Sequence, residues 1–136
     1  MKLSAENLKK IAPALQNLKA ALAGLREGCE LPKTSNLELS GTIQYFEFCY
    51  ELSWKLLQKR AAVDGRSVAS PREAFRYGFE KGYIESELIW SQMILDRNLT
   101  VHTYDRGIAQ KIYDATKVSY YPEFVKFVQN FELDFK

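Results

Sequence analysis

Residues 41–62 read GTIQYFEFCYELSWKLLQKRAA, and this stretch decides the fold. Ile43, Phe46, Tyr50, Trp54 and Leu57 recur at helical spacing, and Tyr45, Cys49, Leu52 and Leu56 widen the same face. A helix apolar over so broad an arc belongs in an interior, so this one is expected at the centre of the fold and largely buried. Its polar residues Gln44, Glu47, Glu51 and Lys55 line up at steps of 3, 4 and 4. Two readings of that line stand. One is a solvated stripe with an i,i+4 Glu51–Lys55 pair; the other is a polar groove in which a partner docks.

Upstream, Leu8, Ile11, Leu15, Leu18, Leu22 and Leu25 form a second helical seam with steps of 3, 4, 3, 4 and 3. Ser4 is a candidate cap, Pro13 predicts a kink or a late start, and Gly28 predicts a stop. Residues 29–40, with Cys29, Pro32 and Asn36, are expected to form a loop. Downstream, Asp64-Gly65 reads as a turn. Ser70-Pro71-Arg72-Glu73 is a capping box with proline in the first helical position, and its helix should end near Gly78 or Gly82. A further helix turns Leu88, Ile89, Trp90, Met93, Ile94 and Leu95 inward and closes near Asp96-Arg97. The next is marked by Ile108, Ile112, Ala115 and Ser119 and is broken at Tyr120-Tyr121-Pro122. A last short one carries Phe124, Val125, Val128 and Phe131. No segment alternates as a strand would. The expectation is an all-α fold, an up-down antiparallel bundle of about five to six helices in one domain spanning residues 1–136.

Composition bounds the rest. The 136 residues are 46% hydrophobic and 26% charged, a globular balance, and the net charge of +2 does not announce a nucleic-acid binder by bulk charge. Cys49 lies in an aromatic run and reads as a small buried hydrophobe. Two cysteines in such settings argue against a disulfide framework, and no metal-ligand spacing or cofactor motif is present. Charge comes early at the N-terminus and no apolar run approaches ~20 residues, so a cytoplasmic protein without a membrane span is expected.

The single histidine, His102, excludes any mechanism that needs two histidines from one chain. It falls in Arg97-Asn98-Leu99-Thr100-Val101-His102-Thr103-Tyr104, where one helix ends and the next begins. A guanidinium and an imidazole can converge at such a junction, and exposed N–H groups at a helix start favour an anion. Imidazole can take a proton from a ribose 2′-OH or give one to a leaving 5′-oxygen, while a guanidinium stabilises charge on phosphorus. A plainer reading stays open beside this one: His102 as a local hydrogen-bonder, and Arg97 paired with Asp96, Asp105 or the end of its own helix. Arg72, Arg76, Arg106 and Lys111 are the further cations that could contact RNA phosphates.

Arg97-x4-His102-x-Tyr104 resembles the R-x4-H-x-Y motif of the HEPN superfamily, in its HepT branch. Gln44-x-Phe46-Glu47-x-x-Tyr50-Glu51-Leu52-x-Trp54-Lys55, Ser70-Pro71-Arg72-Glu73-Ala74-Phe75 and Arg97-Asn98-Leu99-Thr100-x-His102-Thr103-Tyr104-Asp105 are similar, in order, to the nucleotidyltransferase substrate-binding proteins of the same superfamily. The resemblance covers roughly residues 3–131. It implies an all-helical homodimer working with a minimal nucleotidyltransferase. It further implies metal-independent RNA cleavage by Arg97 and His102 across the dimer interface, and inactivation by AMP attached to Tyr104. The alternative it implies is a helper that presents substrate to the nucleotidyltransferase without catalysis. The lone His102 suits a dimer, because a two-fold axis would supply both a base and an acid.

Overall fold

The structure is a computed structural model describing residues 3–32 and 35–135. Among these residues it has six α-helices: α1 Ala5–Glu30, α2 Asn36–Val63, α3 Pro71–Glu80, α4 Glu87–Leu99, α5 Arg106–Ala115 and α6 Tyr121–Glu132. Short 3₁₀ turns cover Thr100–His102 and Leu133–Phe135, a π-helical segment Thr116–Tyr120 joins α5 to α6, and no strand is present among the described residues. The fold is the all-α helical bundle expected, and no described helix is long and apolar enough to cross a membrane.

As read from its sequence, α2 is the central element, packing against α1, α3, α4 and α5. It starts at Asn36, earlier than Gly41, because Ser35 and Glu38 form a capping box that the apolar spacing does not reveal. Ser35 Oγ accepts from the Glu38 N–H at 3.2 Å and Glu38 Oε1 accepts from the Ser35 N–H at 2.9 Å. Helix α1 is capped by Ser4 but neither waits for Pro13 nor stops at Gly28. Pro13 and Lys9, whose carbonyl loses its helical donor, are both exposed, so water can replace the missing bond. Gly28 serves packing instead, since a Cβ there would lie 2.3 Å from Thr42 Oγ1. Cys29 is consequently helical and buried rather than in a loop, and burial pushes its thiol up to about 11.

Helix α3 is capped as expected by Ser70, whose hydroxyl accepts from the Glu73 N–H, while the Glu73 carboxylate reaches one residue further back, to the Ala69 N–H. In α4 the inward arc centres on Trp90 and Met93. Leu88 and Leu95, expected inward, point to solvent at 69% and 61% exposure. The expected break at Tyr120–Pro122 is instead the π-helical segment: the wider turn takes up the register change before Pro122, which has no N–H to donate. Phe127 joins Phe124, Val128 and Phe131 in the core, where Phe124 and Phe127 meet the Trp90 ring edge-to-face.

Candidate functional site

The α4–α5 junction is a hydrogen-bonded turn. Thr100 Oγ1 donates to the Arg97 carbonyl at 2.7 Å, Thr103 Oγ1 donates to the Thr100 carbonyl at 3.1 Å, and the Asp105 N–H donates to the His102 carbonyl at 3.0 Å. His102 closes the 3₁₀ turn and Tyr104 follows before α5 begins. Two residues apart in a regular helix would face about 200° from one another. Here they share a side: His102 Nδ1 lies 3.3 Å from Tyr104 Oη, with the rings edge-to-face at 5.9 Å. Both side chains are exposed, Tyr104 at 82%.

Arg97 faces the other way, into the bundle. Its Nη1 donates to Thr100 Oγ1 at 3.1 Å, and its Nε lies 3.6 Å from Glu51 Oε1 on α2. That Nε is buried without a hydrogen-bond partner. The other Glu51 oxygen accepts the Trp54 indole N–H at 2.9 Å. Glu51 therefore turns to Arg97 and Trp54, and the Glu51–Lys55 pair expected along the stripe is not among the described ion pairs. Gln44 and Lys55 are exposed, whereas Glu47 and Glu51 are half-buried. The plainer reading of Arg97 holds in part, since it does reach the end of its own helix through Thr100. Its carboxylate partner is neither Asp96 nor Asp105. Asp96 is buried and accepts from Tyr120 Oη at 2.5 Å.

Within one chain the motif forms two clusters, Arg97 with Glu51 and Trp54, and His102 with Tyr104, with no described hydrogen bond between them. The expectation of free N–H groups for an anion beside residues 102–104 also needs correction. Asp105 caps α5 with its own carboxylate, which accepts from the Gly107 N–H at 2.9 Å and the Ile108 N–H at 3.2 Å. Of the four other cations, Arg72 and Arg76 share a cleft between α3 and α4, Arg106 opens α5, and Lys111 lines a separate hollow with Gln92, Leu95 and Tyr120. The Glu51–Arg97 pairing joins residues far apart in sequence, and no spacing rule signals it.

A helical bundle that presents Arg-x4-His-x-Tyr at an interhelical turn is of the HEPN class. Within it, the chain belongs to the family described as nucleotidyltransferase substrate binding protein like, whose family model matches residues 13–133. A Haemophilus influenzae protein named Probable ribonuclease HepT is 33% identical over 84 residues, and the match spans 55% of this chain and 55% of that protein. A crystal structure of a Thermus thermophilus protein superposes with a TM-score of 0.75 at 32% identity, covering 82% of this chain and 96% of that one. A Haemophilus influenzae structure, reported as revealing the fold of a substrate binding domain of a nucleotidyltransferase, has a TM-score of 0.65 at 23% identity over 90% of this chain and 97% of that one, a likeness of fold.

Proposed function

We propose that this chain is a metal-independent endoribonuclease toxin that acts as a homodimer and is silenced by a minimal nucleotidyltransferase. The observation that carries the reading is the motif's local geometry: an exposed imidazole paired with Tyr104 at the interhelical turn that follows α4, the helix that carries Arg97. His102 takes the proton from a ribose 2′-OH. The 2′-oxygen attacks phosphorus, the bond to the 5′-oxygen breaks, and His102 of the second copy returns a proton to that oxygen. The products are a 2′,3′-cyclic phosphate and a 5′-hydroxyl. Arg97 stabilises the added negative charge on phosphorus, and Arg106 and Lys111 contribute phosphate contacts along the strand. The outward Leu88 and Leu95, two turns apart on α4, together with exposed Val101, offer an apolar face beside the motif on which a second copy would pack. The relative named Probable ribonuclease HepT supports the activity by analogy.

The test is digestion of RNA by the purified protein in EDTA. His102→Ala should abolish cleavage and Arg97→Ala should lower it by on the order of 10², while light scattering at micromolar concentration gives about twice 15.7 kDa. Equal digestion by wild type and His102→Ala, or a clean monomer, overturns the reading. The exposed Gln44 and Lys55, flanking half-buried Glu47 and Glu51 on α2, favour the second reading, a docking groove on a non-catalytic substrate-presenting subunit. A tight complex with the nucleotidyltransferase and no RNA cleavage would select it.

A further inference from the structure

The cleft between α3 and α4 has chemistry of its own. Its volume is about 140 Å³, several times a water molecule's share of about 30 Å³ and below the roughly 300–1,000 Å³ of drug-sized sites. Arg72, Arg76 and Ser91 line it, over an inner wall that includes Phe75 and Trp90. Arg72 has no described ion-pair partner, and Arg76 has only a long contact of 3.7 Å to Glu80. Trp90 is 1% exposed, yet its indole N–H donates to nothing. That nitrogen is itself sealed from solvent, so the ring serves as a wall beneath the two guanidiniums and the Ser91 hydroxyl. One carboxylate, Glu87, lines the cleft against two guanidiniums, so the balance favours an anion.

We propose that this cleft is a phosphate-binding site, in which the Arg72 and Arg76 guanidiniums and the Ser91 hydroxyl receive one phosphoryl group of a nucleotide over the Trp90 ring. Guanidiniums suit the planar, paired hydrogen bonding of phosphate oxygens. The volume admits the phosphoryl group and leaves the nucleoside on the rim. Ile94, which lines the cleft, stands about one helical turn before Arg97 on α4. Tyr50 lies between the two places. Burial and Glu51 push its phenol up to about 12, while Arg97 and Arg72 both draw it down, so the two guanidiniums act on one side chain. The site goes beyond cleavage at His102 and does not depend on it. Its phosphate comes from a free nucleotide or from an RNA strand.

The two tryptophan indoles provide the readout. Trp90 lines the cleft and Trp54 is bonded to Glu51. Inorganic phosphate, AMP and an uncleavable 2′-O-methyl oligoribonucleotide are titrated into the ¹⁵N-labelled protein, with the indole signals assigned by Trp90→Phe. The Trp90 N–H signal should move saturably, and Arg72→Gln/Arg76→Gln should weaken binding about tenfold or more without changing the melting temperature, because both side chains are exposed. Tighter binding of AMP identifies a free nucleotide as the source, and tighter binding of the oligonucleotide identifies a strand. A Trp90 signal unmoved by all three at millimolar concentration, movement of Trp54 alone, or undiminished affinity in the double variant overturns the proposal.

Discussion

Arg97 on α4 is set against Glu51 on α2, with Nε 3.6 Å from one carboxylate oxygen while the other oxygen is engaged by the Trp54 indole at 2.9 Å. The tryptophan fixes the carboxylate, and the carboxylate faces the guanidinium. The arrangement is an ion pair one step short of a hydrogen bond, leaving the Arg97 Nε unused. A phosphate would therefore meet a guanidinium already oriented, at the cost of competing with Glu51 for its charge.

These two effects predict a split result for Glu51→Gln. The amide oxygen can still accept from Trp54, so the fold and melting temperature should be kept, but Arg97 loses its fixed charge partner. On the ribonuclease reading, kcat should fall by about tenfold through misorientation, while KM for RNA does not rise, because a competing negative charge has gone. Steady-state cleavage of a short RNA measures both. Wild-type kcat in Glu51→Gln would show that Glu51 does not position Arg97.

The α1–α2 contact makes a paired prediction. A Cβ at Gly28 would meet Thr42 Oγ1 at 2.3 Å and Cγ2 at 2.7 Å, whereas one at Gly41 meets nothing within 4 Å. Thr42 is buried and its hydroxyl donates to the Glu38 carbonyl at 2.8 Å, and its own Cβ would lie 2.9 Å from the added one, a contact that turning the side chain does not relieve. Gly28→Ala should cost about 1–3 kcal/mol through overpacking, despite the better helix propensity of alanine. Gly41→Ala should gain about 0.5–1 kcal/mol from propensity alone. Urea unfolding of both variants checks the sign of each.

Gly28 also shows where sequence reading fails. A glycine at the end of an apolar seam signals a stop, and only the partner helix shows that this one makes room for Thr42. Ser35 and Glu38 carry a legible cap, hidden by Pro32 and Asn36, which together suggest a loop. The α2 interior, the Ser70 cap and the Asp64-Gly65 turn are legible because spacing and local chemistry determine them; Gly65 has φ +77 as such a turn requires. Leu88 and Leu95 are misassigned because an apolar residue on α4 carries no mark of which side the bundle covers. The Arg97–His102–Tyr104 spacing is plain. That Arg97 turns inward to Glu51 while His102 turns outward follows only from how α4 packs on α2.

A second buried cluster gives a pH prediction. Arg60, 2% exposed, donates to Asp64 at 2.8 Å and to Asp134 at 3.4 Å. Tyr77 donates to Asp64 at 2.7 Å, and Tyr83 donates to Asp134. Burial pushes the Asp64 carboxyl up, but hydrogen bonds from Tyr77 and Arg60 outweigh it and hold the group at about 2, below the ordinary 3.8. A value lowered by folding stabilises the protein above the unfolded value, and that stabilisation is lost as pH falls through the folded one. Asp64→Asn should therefore cost about 1–3 kcal/mol at pH 7. The gap from wild type should remain full above about pH 4 and close toward the folded value of about 2. Chemical denaturation across that range measures it, and a gap independent of pH would remove the charged hydrogen bonds as its cause.

Tyr104 carries the last prediction, which rests on the ribonuclease reading. Its phenol is exposed and stands 3.3 Å from His102 Nδ1, on the same side of the turn. A nucleotidyltransferase holding ATP could reach it: the Tyr104 oxygen attacks the α-phosphorus, pyrophosphate leaves, and the phenolic proton passes to solvent. The resulting phosphodiester would place a negative charge and a bulky nucleoside against His102, filling the space an RNA phosphate needs and repelling that phosphate. The phenol takes no part in the proton transfers assigned to His102, so Tyr104→Phe should keep most of the cleavage and lose only the hydrogen-bonding partner of Nδ1. Co-expression with the partner nucleotidyltransferase, followed by intact-mass measurement, should show one or more AMP units on the wild type, mapped to Tyr104 and absent from Tyr104→Phe. The modified protein should be inactive and the variant should stay active and toxic. A stable complex with no adduct on any residue would exclude modification as the means of control and leave direct occlusion of His102 by the bound partner.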